Sequence, residues 1–170
     1  MGKQANPAEA AVRAGPAAVF DLLAARLGES AGFKLLTLLT LDEDGARLVR
    51  PFSSRPDQFP CGAADPVENT RWFRRLFVEQ EAVIANDGVS IRSWLPQFTN
   101  AAVLGYDSLL NLPIVVAGKV LGLINVMDGR DHFDSGRVEA IRNEMPLAAL
   151  AILARSATVP TISLPETGSD

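Results

Sequence analysis

The chain has 170 residues, 48% hydrophobic and 21% charged, a balance that suits one globular domain with a core able to stand without disulfides or a structural metal. One cysteine and one histidine exclude an internal disulfide and a zinc cluster, and the net charge of -4 opposes binding to phosphate backbones, so no nucleic-acid partner is expected. The N-terminus lacks the basic-then-apolar order of a signal peptide and no run of about 18 apolar residues is present, which gives the expectation of a cytoplasmic protein with no membrane partner.

Residues 7–14 are Ala-rich and read as a short helix, broken at Gly15-Pro16 from a second helix in which Val19, Phe20, Leu23 and Leu27 recur at helical spacing. "FKLLTLLTL" (33–41) and "ARLVRPFSS" (46–54) flank the turn residues "DEDG", the pattern of a β-hairpin. "RPDQFPCGAADP" (55–66) reads as a loop. Beyond it, Trp72, Phe73, Leu76 and Phe77 share one side of a helical wheel and Arg71, Arg74 and Arg75 the other. "EAVIAND" (81–87) suits a strand running into a turn, and a second short helix is expected around "SIRSWLPQF". A hairpin, "LLNLPIVVAGKVLGLINVMDG" (109–129), follows, and then a long final helix capped by Asp134 or Ser135 and kinked by Pro146. Turn-linked strand pairs with helices gathered on the faces indicate an α+β architecture around a central antiparallel β-sheet. Residues 1–16 form a partly helical N-terminal extension, 17–155 the domain and 156–170 a disordered Pro/Ser/Thr-rich tail.

The last hairpin holds an asparagine in each strand. With Ala117 and Gly118 as the turn, strict alternation puts Leu110, Leu112, Ile114, Leu121, Leu123 and Asn125 on the greasier face. Leu109, Asn111, Pro113, Val115, Val120, Gly122, Ile124 and Val126 fall on the face suited to a cavity, and a slip of one residue would reverse both assignments. An unsatisfied buried amide costs roughly 1–3 kcal/mol, so each asparagine needs a backbone, water or ligand partner. On this reading Asn111 is the pocket residue and Asn125 the structural one. Trp72, Phe52 and Trp94 are further candidates for the cavity wall, where aromatic surface with a few polar points suits a small ligand.

The element order, with "SLLNLPIVVAGKVLGLINVM" at 108–127 and the closing "HFDSGRVEAIRNEMPLAALAIL", resembles the GAF domain family, Ser108, Pro113, Gly118, Gly122 and Phe133 occupying the positions of its strand-turn-strand-loop pattern. The resemblance implies a five- or six-stranded antiparallel sheet with the N- and C-terminal helices on one face and a ligand-type pocket on the other. It also implies a homodimer formed through the terminal helices and a sensory or regulatory role. Members usually regulate an attached output domain, for which this chain offers no room, so action on a separate signalling protein is expected.

Sharper chemistries fit less well. In the cyclic-nucleotide signature of that family Asn125 and Phe133 match, whereas Val126, Arg137 and Val138 depart from it. A free methionine-(R)-sulfoxide reductase-like enzyme is the catalytic alternative, disfavoured because Cys61 has no resolving partner and no basic residue within five positions. His132 lies in the solvated turn "DGRDHFD", no nucleophile elbow or phosphate-binding glycine loop is present, and "LPETG" at 164–168 lacks the apolar span of a sorted protein. The expectation is therefore a non-enzymatic module binding an unidentified small organic ligand through Asn111, Trp72, Phe52, Trp94, Pro113 and Gly122, with no metal site and no cofactor assigned. A ligand-free dimeric interaction scaffold is the remaining alternative.

Overall fold

The computed structural model describes residues 6–98 and 103–156. Asn6 caps the first helix, α1 (Pro7–Ala14), by accepting a hydrogen bond from the Ala8 amide, and Pro7 occupies the first turn, where its missing N–H costs nothing. Gly15, at φ 112°, then turns the chain into Pro16 and α2 (Pro16–Ser30), whose buried stripe is Val19, Phe20, Leu23 and Leu27.

Six strands follow: β1 (Leu35–Leu41), β2 (Arg47–Ser53), β3 (Ala64–Pro66), β4 (Val83–Ala85), β5 (Ser108–Val116) and β6 (Lys119–Asp128). They form one antiparallel sheet in the order β3-β2-β1-β6-β5-β4. The stretch 55–66, expected as loop throughout, ends in β3, an edge strand in which Pro66 can sit because its missing N–H falls at the rim. Between β3 and β4 the expected helix forms as one α turn, α3 (Arg71–Phe73), continued by a π-helical turn over Arg74–Val78. A short helix α4 (Gly88–Trp94), capped by Asp87, precedes β5. The final helix is interrupted rather than bent: α5 (Ser135–Asn143) and α6 (Met145–Ser156) meet at Glu144, because Pro146 has no N–H to continue the ladder and disfavours helical geometry in the residue before it.

Two apolar layers enclose the sheet. On one face Leu36, Leu38, Leu110, Leu112, Ile114, Ile124 and Val126 pack against α2, α5 and α6. On the other, Leu35, Leu109, Leu123 and Met127 meet Leu76, Ile91 and Tyr106 beneath the middle helices.

The asparagine strands correct the expected register. Val116 faces Lys119 and Val115 faces Val120, but a bulge then places Gly122 opposite Ile114, so Leu121 is an extra residue and everything beyond it in β6 changes face. Asn125 therefore stands opposite Asn111, on the same face, while Ile124 and Val126 turn to the terminal helices. A second bulge sets Arg50 and Pro51 against Leu39 alone, so that Phe52, two residues after Arg50, emerges on the opposite side. Of the expected tail only Ser156 is described, as the last residue of α6; 157–170, with "LPETG", lie outside the described residues, as do 1–5 of the N-terminal extension.

Candidate functional site

Between the sheet and the middle helices lies a cavity of about 460 Å³, within the range of small-molecule sites. Its floor comes from alternate residues of four strands: Leu35, Thr37 and Leu39 of β1, Leu48 and Arg50 of β2, Leu109 and Asn111 of β5, Asn125 and Met127 of β6. Its roof is Trp72 and Phe73 of α3 with Leu95, Gln97 and Phe98 after α4, and Phe59, Asp65, Pro66, Glu68 and Thr70 close the side. The alternation of each strand delivers polar groups to the centre of an otherwise apolar floor.

Those groups satisfy one another in a line. Trp72 Nε1 donates to Asn111 Oδ1 at 2.8 Å, Asn111 Nδ2 to Asn125 Oδ1 at 2.9 Å, and Asn125 Nδ2 to Thr37 Oγ1 at 3.0 Å. The line crosses three strands and reaches the roof, so each amide meets the demand that burial places on it. Each amide engages one of its two N–H groups and its oxygen accepts one bond here, and the Thr37 hydroxyl proton has no acceptor among the described residues, which leaves capacity for a further polar partner.

The roof is pinned at both ends. The Thr70 hydroxyl accepts from the Phe73 amide at the start of α3, and Gln80 Nε2 donates to the Gly118 carbonyl at 2.9 Å beyond the π-helical turn. The Arg71 guanidinium lies 4.0 Å from the Trp94 ring centroid, a cation–π contact that ties α3 to α4. Below, Tyr106 Oη donates to Gln58 Oε1 at 2.7 Å, and burial raises the Tyr106 phenol above its ordinary range.

A sequence profile described as GAF domain matches residues 14–153. The chain belongs to the GAF domain family. Solved structures with the same fold include the GAF domain of a two-component sensor histidine kinase from Bacillus halodurans, 14% identical with a TM-score of 0.65 over 81% of this chain and 93% of that one. The second GAF domain of DevS from Mycobacterium smegmatis is 19% identical, TM-score 0.58, over 83% and 95%. Residues 122 to 287 of a methyl-accepting chemotaxis protein are 22% identical, TM-score 0.60, over 79% and 85%. No curated protein matches the sequence significantly. GAF domains are typically sensory or regulatory modules of signalling proteins, and the α+β sheet with helices on both faces is their fold.

In this GAF domain Asn111 and Trp72 meet in the cavity, joined by a hydrogen bond. Trp94 stands beside it as a support for Arg71 without lining it. The other three sequence candidates lie elsewhere. Phe52 stacks on Phe20 of α2 at 5.4 Å, on the terminal-helix side, because the bulge at Arg50–Pro51 turns it there. Pro113 lines a separate groove with Arg75, Gln80, Ile84 and Arg142. Gly122 sits beside Ile114 and Thr40, where a Cβ would run into the Leu39 carbonyl, so its small size serves strand packing. Arg50, Thr37, Phe59 and Phe98 line the cavity and were missed. Arg50 and Leu48 flank Val49 in the alternation of β2, a signal the sequence does contain.

Arg75 pairs with Glu79 and Glu81, and Arg137 with Asp134. Cys61 is exposed and lies outside the cavity lining. The His132 ring, 3.2 Å from the Gly32 carbonyl, links the loop after β6 to the end of α2. Backbone hydrogen bonds from Ser90 and Arg137 hold the capping carboxyls of Asp87 and Asp134 below the usual aspartate range. Among the described residues no cluster of metal-ligating side chains occurs, and no helix is long and apolar enough to cross a membrane.

Proposed function

We propose that this GAF domain is a regulatory module whose signal is a small organic molecule held in the cavity that Asn111 and Trp72 line. The observation that carries the reading is the cavity itself: about 460 Å³, apolar at its walls, with a line of amides ending on the roof at Trp72. A ligand that bonds Asn111 or Thr37 changes how firmly α3 is fastened to the sheet, and the π-helical turn carries that difference to Gln80 and the β5–β6 turn. The role is regulatory rather than catalytic.

The module acts as a homodimer through its terminal helices and passes its state to a separate signalling protein. Half-exposed Val12 on α1 and Leu150 and Leu153 on α6 support that surface.

Native mass spectrometry of gently purified protein, followed by denaturation and identification of what is released, tests the reading. A stoichiometric small-molecule adduct, lost in Asn111→Ala with the dimer mass retained, is the expected result. An adduct-free protein whose tryptophan emission responds to no small molecule would overturn it in favour of a ligand-free scaffold.

A further inference from the structure

Five arginines of the described chain, Arg13, Arg26, Arg55, Arg75 and Arg137, are paired with carboxylates. Arg50, the only cationic residue lining the cavity among the described residues, makes no ion pair there. Its Nη1 donates to the Pro60 carbonyl at 3.2 Å, and its guanidinium carbon lies 5.7 Å from the centroid of Phe59. Its Nε is buried and has no hydrogen-bond partner. The engaged nitrogen is thus the one on the far edge of the group. The edge formed by Nε and Nη2, the pair of parallel N–H donors that matches a carboxylate side-on, makes no hydrogen bond among the described residues.

A buried donor without an acceptor is a standing cost; Nε is closed to the cavity as it stands, so an acceptor that meets Nη2 removes that cost only when a small shift of the side chain brings Nε to it. A carboxylate is the acceptor whose two oxygens fit that fork and whose charge answers the unpaired cation. The remaining wall says what the carboxylate is attached to, since Leu39, Trp72 and Phe98 offer apolar surface.

Resting on the sensory reading above, we infer that the ligand is a small organic carboxylate, its carboxylate meeting the Arg50 guanidinium at Nη2, with Nε joining once the side chain shifts, and its apolar body against Leu39 and Phe98. Asp65 and Glu68, exposed along the side of the same cavity, separate two sources of that chemistry. A plain carboxylic acid makes no use of them, whereas an α-amino acid would set its ammonium group against them.

The test is ligand-observed NMR on the full chain, with tryptophan emission as a second readout for the compounds that carry no indole. The panel is phenylacetate, indole-3-acetate, isovalerate, phenylalanine, tryptophan and leucine, each beside its primary carboxamide. Binding by at least one carboxylate, weakened tenfold or more in its carboxamide and in Arg50→Gln, is the expected result. Arg50→Lys should recover only part of the affinity, because it restores the charge without the fork. Unchanged circular dichroism and thermal melting of Arg50→Gln would show that the loss is not unfolding. A binding amino acid weakened by Asp65→Asn or Glu68→Gln identifies the zwitterionic source, and a plain acid bound equally or more tightly by those variants, which lose a repelling charge, identifies the other.

Carboxamides that bind as well as their acids, or carboxylates that bind Arg50→Gln as tightly as the unaltered protein, overturn the inference while leaving the cavity a ligand site. A panel in which no compound binds or shifts the emission overturns the carboxylate assignment. An adduct-free native mass spectrum alongside that result would remove the sensory reading with it.

Discussion

The indole N–H of Trp72 donates to Asn111 Oδ1 across 2.8 Å, joining the helical roof to the centre of the sheet by a bond between residues 39 positions apart. Asn111 is only 1% exposed, so the bond is closed to bulk water at its acceptor end. Trp72→Phe keeps most of the aromatic surface and removes the donor, leaving that oxygen with no protein partner. The expected loss is about 1–2 kcal/mol, read as a lower urea midpoint at unchanged slope. Asn111→Leu should cost more, since it strands Trp72 Nε1 and Asn125 Oδ1 together.

Phe52→Ala separates the two faces of the sheet. It removes the ring stacked on Phe20 and should lower stability by about 2 kcal/mol, less than a fully buried phenylalanine because Phe52 is partly exposed. Carboxylate binding and the tryptophan emission response should survive it. A variant as stable as the parent in thermal melting, or one that loses the emission response while folded, would contradict the placement of Phe52 against α2.

Gly122→Ala and Gly45→Ala test two different demands on glycine. At Gly122 the new methyl meets the Leu39 carbonyl in the middle of the sheet, and the expected cost is about 3 kcal/mol because backbone must move. At Gly45 the space is open and only the left-handed backbone, φ 69°, is unfavourable, for about 1 kcal/mol. Paired chemical denaturation curves check the order.

Asp134 makes α5 sensitive to acid. Its carboxyl is held below the ordinary aspartate value in the folded protein by hydrogen bonding to the Arg137 amide, so its contribution is complete above the unfolded value of 3.8. That contribution fades as pH falls through the folded value. Asp134→Asn retains a capping oxygen and should flatten this part of the stability profile on the acid side of about pH 5, measured by melting temperature across the series.

Much of the element order was legible because it rests on local rules. Val19, Phe20, Leu23 and Leu27 announce α2, Gly15-Pro16 breaks it from α1, and the Ala117-Gly118 turn, with φ 49° and 75°, joins β5 to β6 as the hairpin pattern indicates. The faces of the sheet were less legible, for a physical reason. A bulge adds one residue without altering composition, so neither the extra Leu121 nor the extra Pro51 disturbs the apolar pattern, yet each reverses what lies beyond it. Asn125 and Phe52 were both assigned to the wrong side on that account. Phe59 and Phe98 reach the cavity from irregular segments, where no periodicity marks which way a side chain faces.

The line of amides also sets a rule of admission. A guest that wedges between Trp72 and Asn111 sets free one donor and one acceptor in the same step, and it settles without loss only if it carries a complement to each. An all-hydrocarbon guest of suitable size would leave both stranded. Such a floor would screen a guest by hydrogen-bond valence before shape, and would turn away at its centre greasy molecules that the apolar walls would accept.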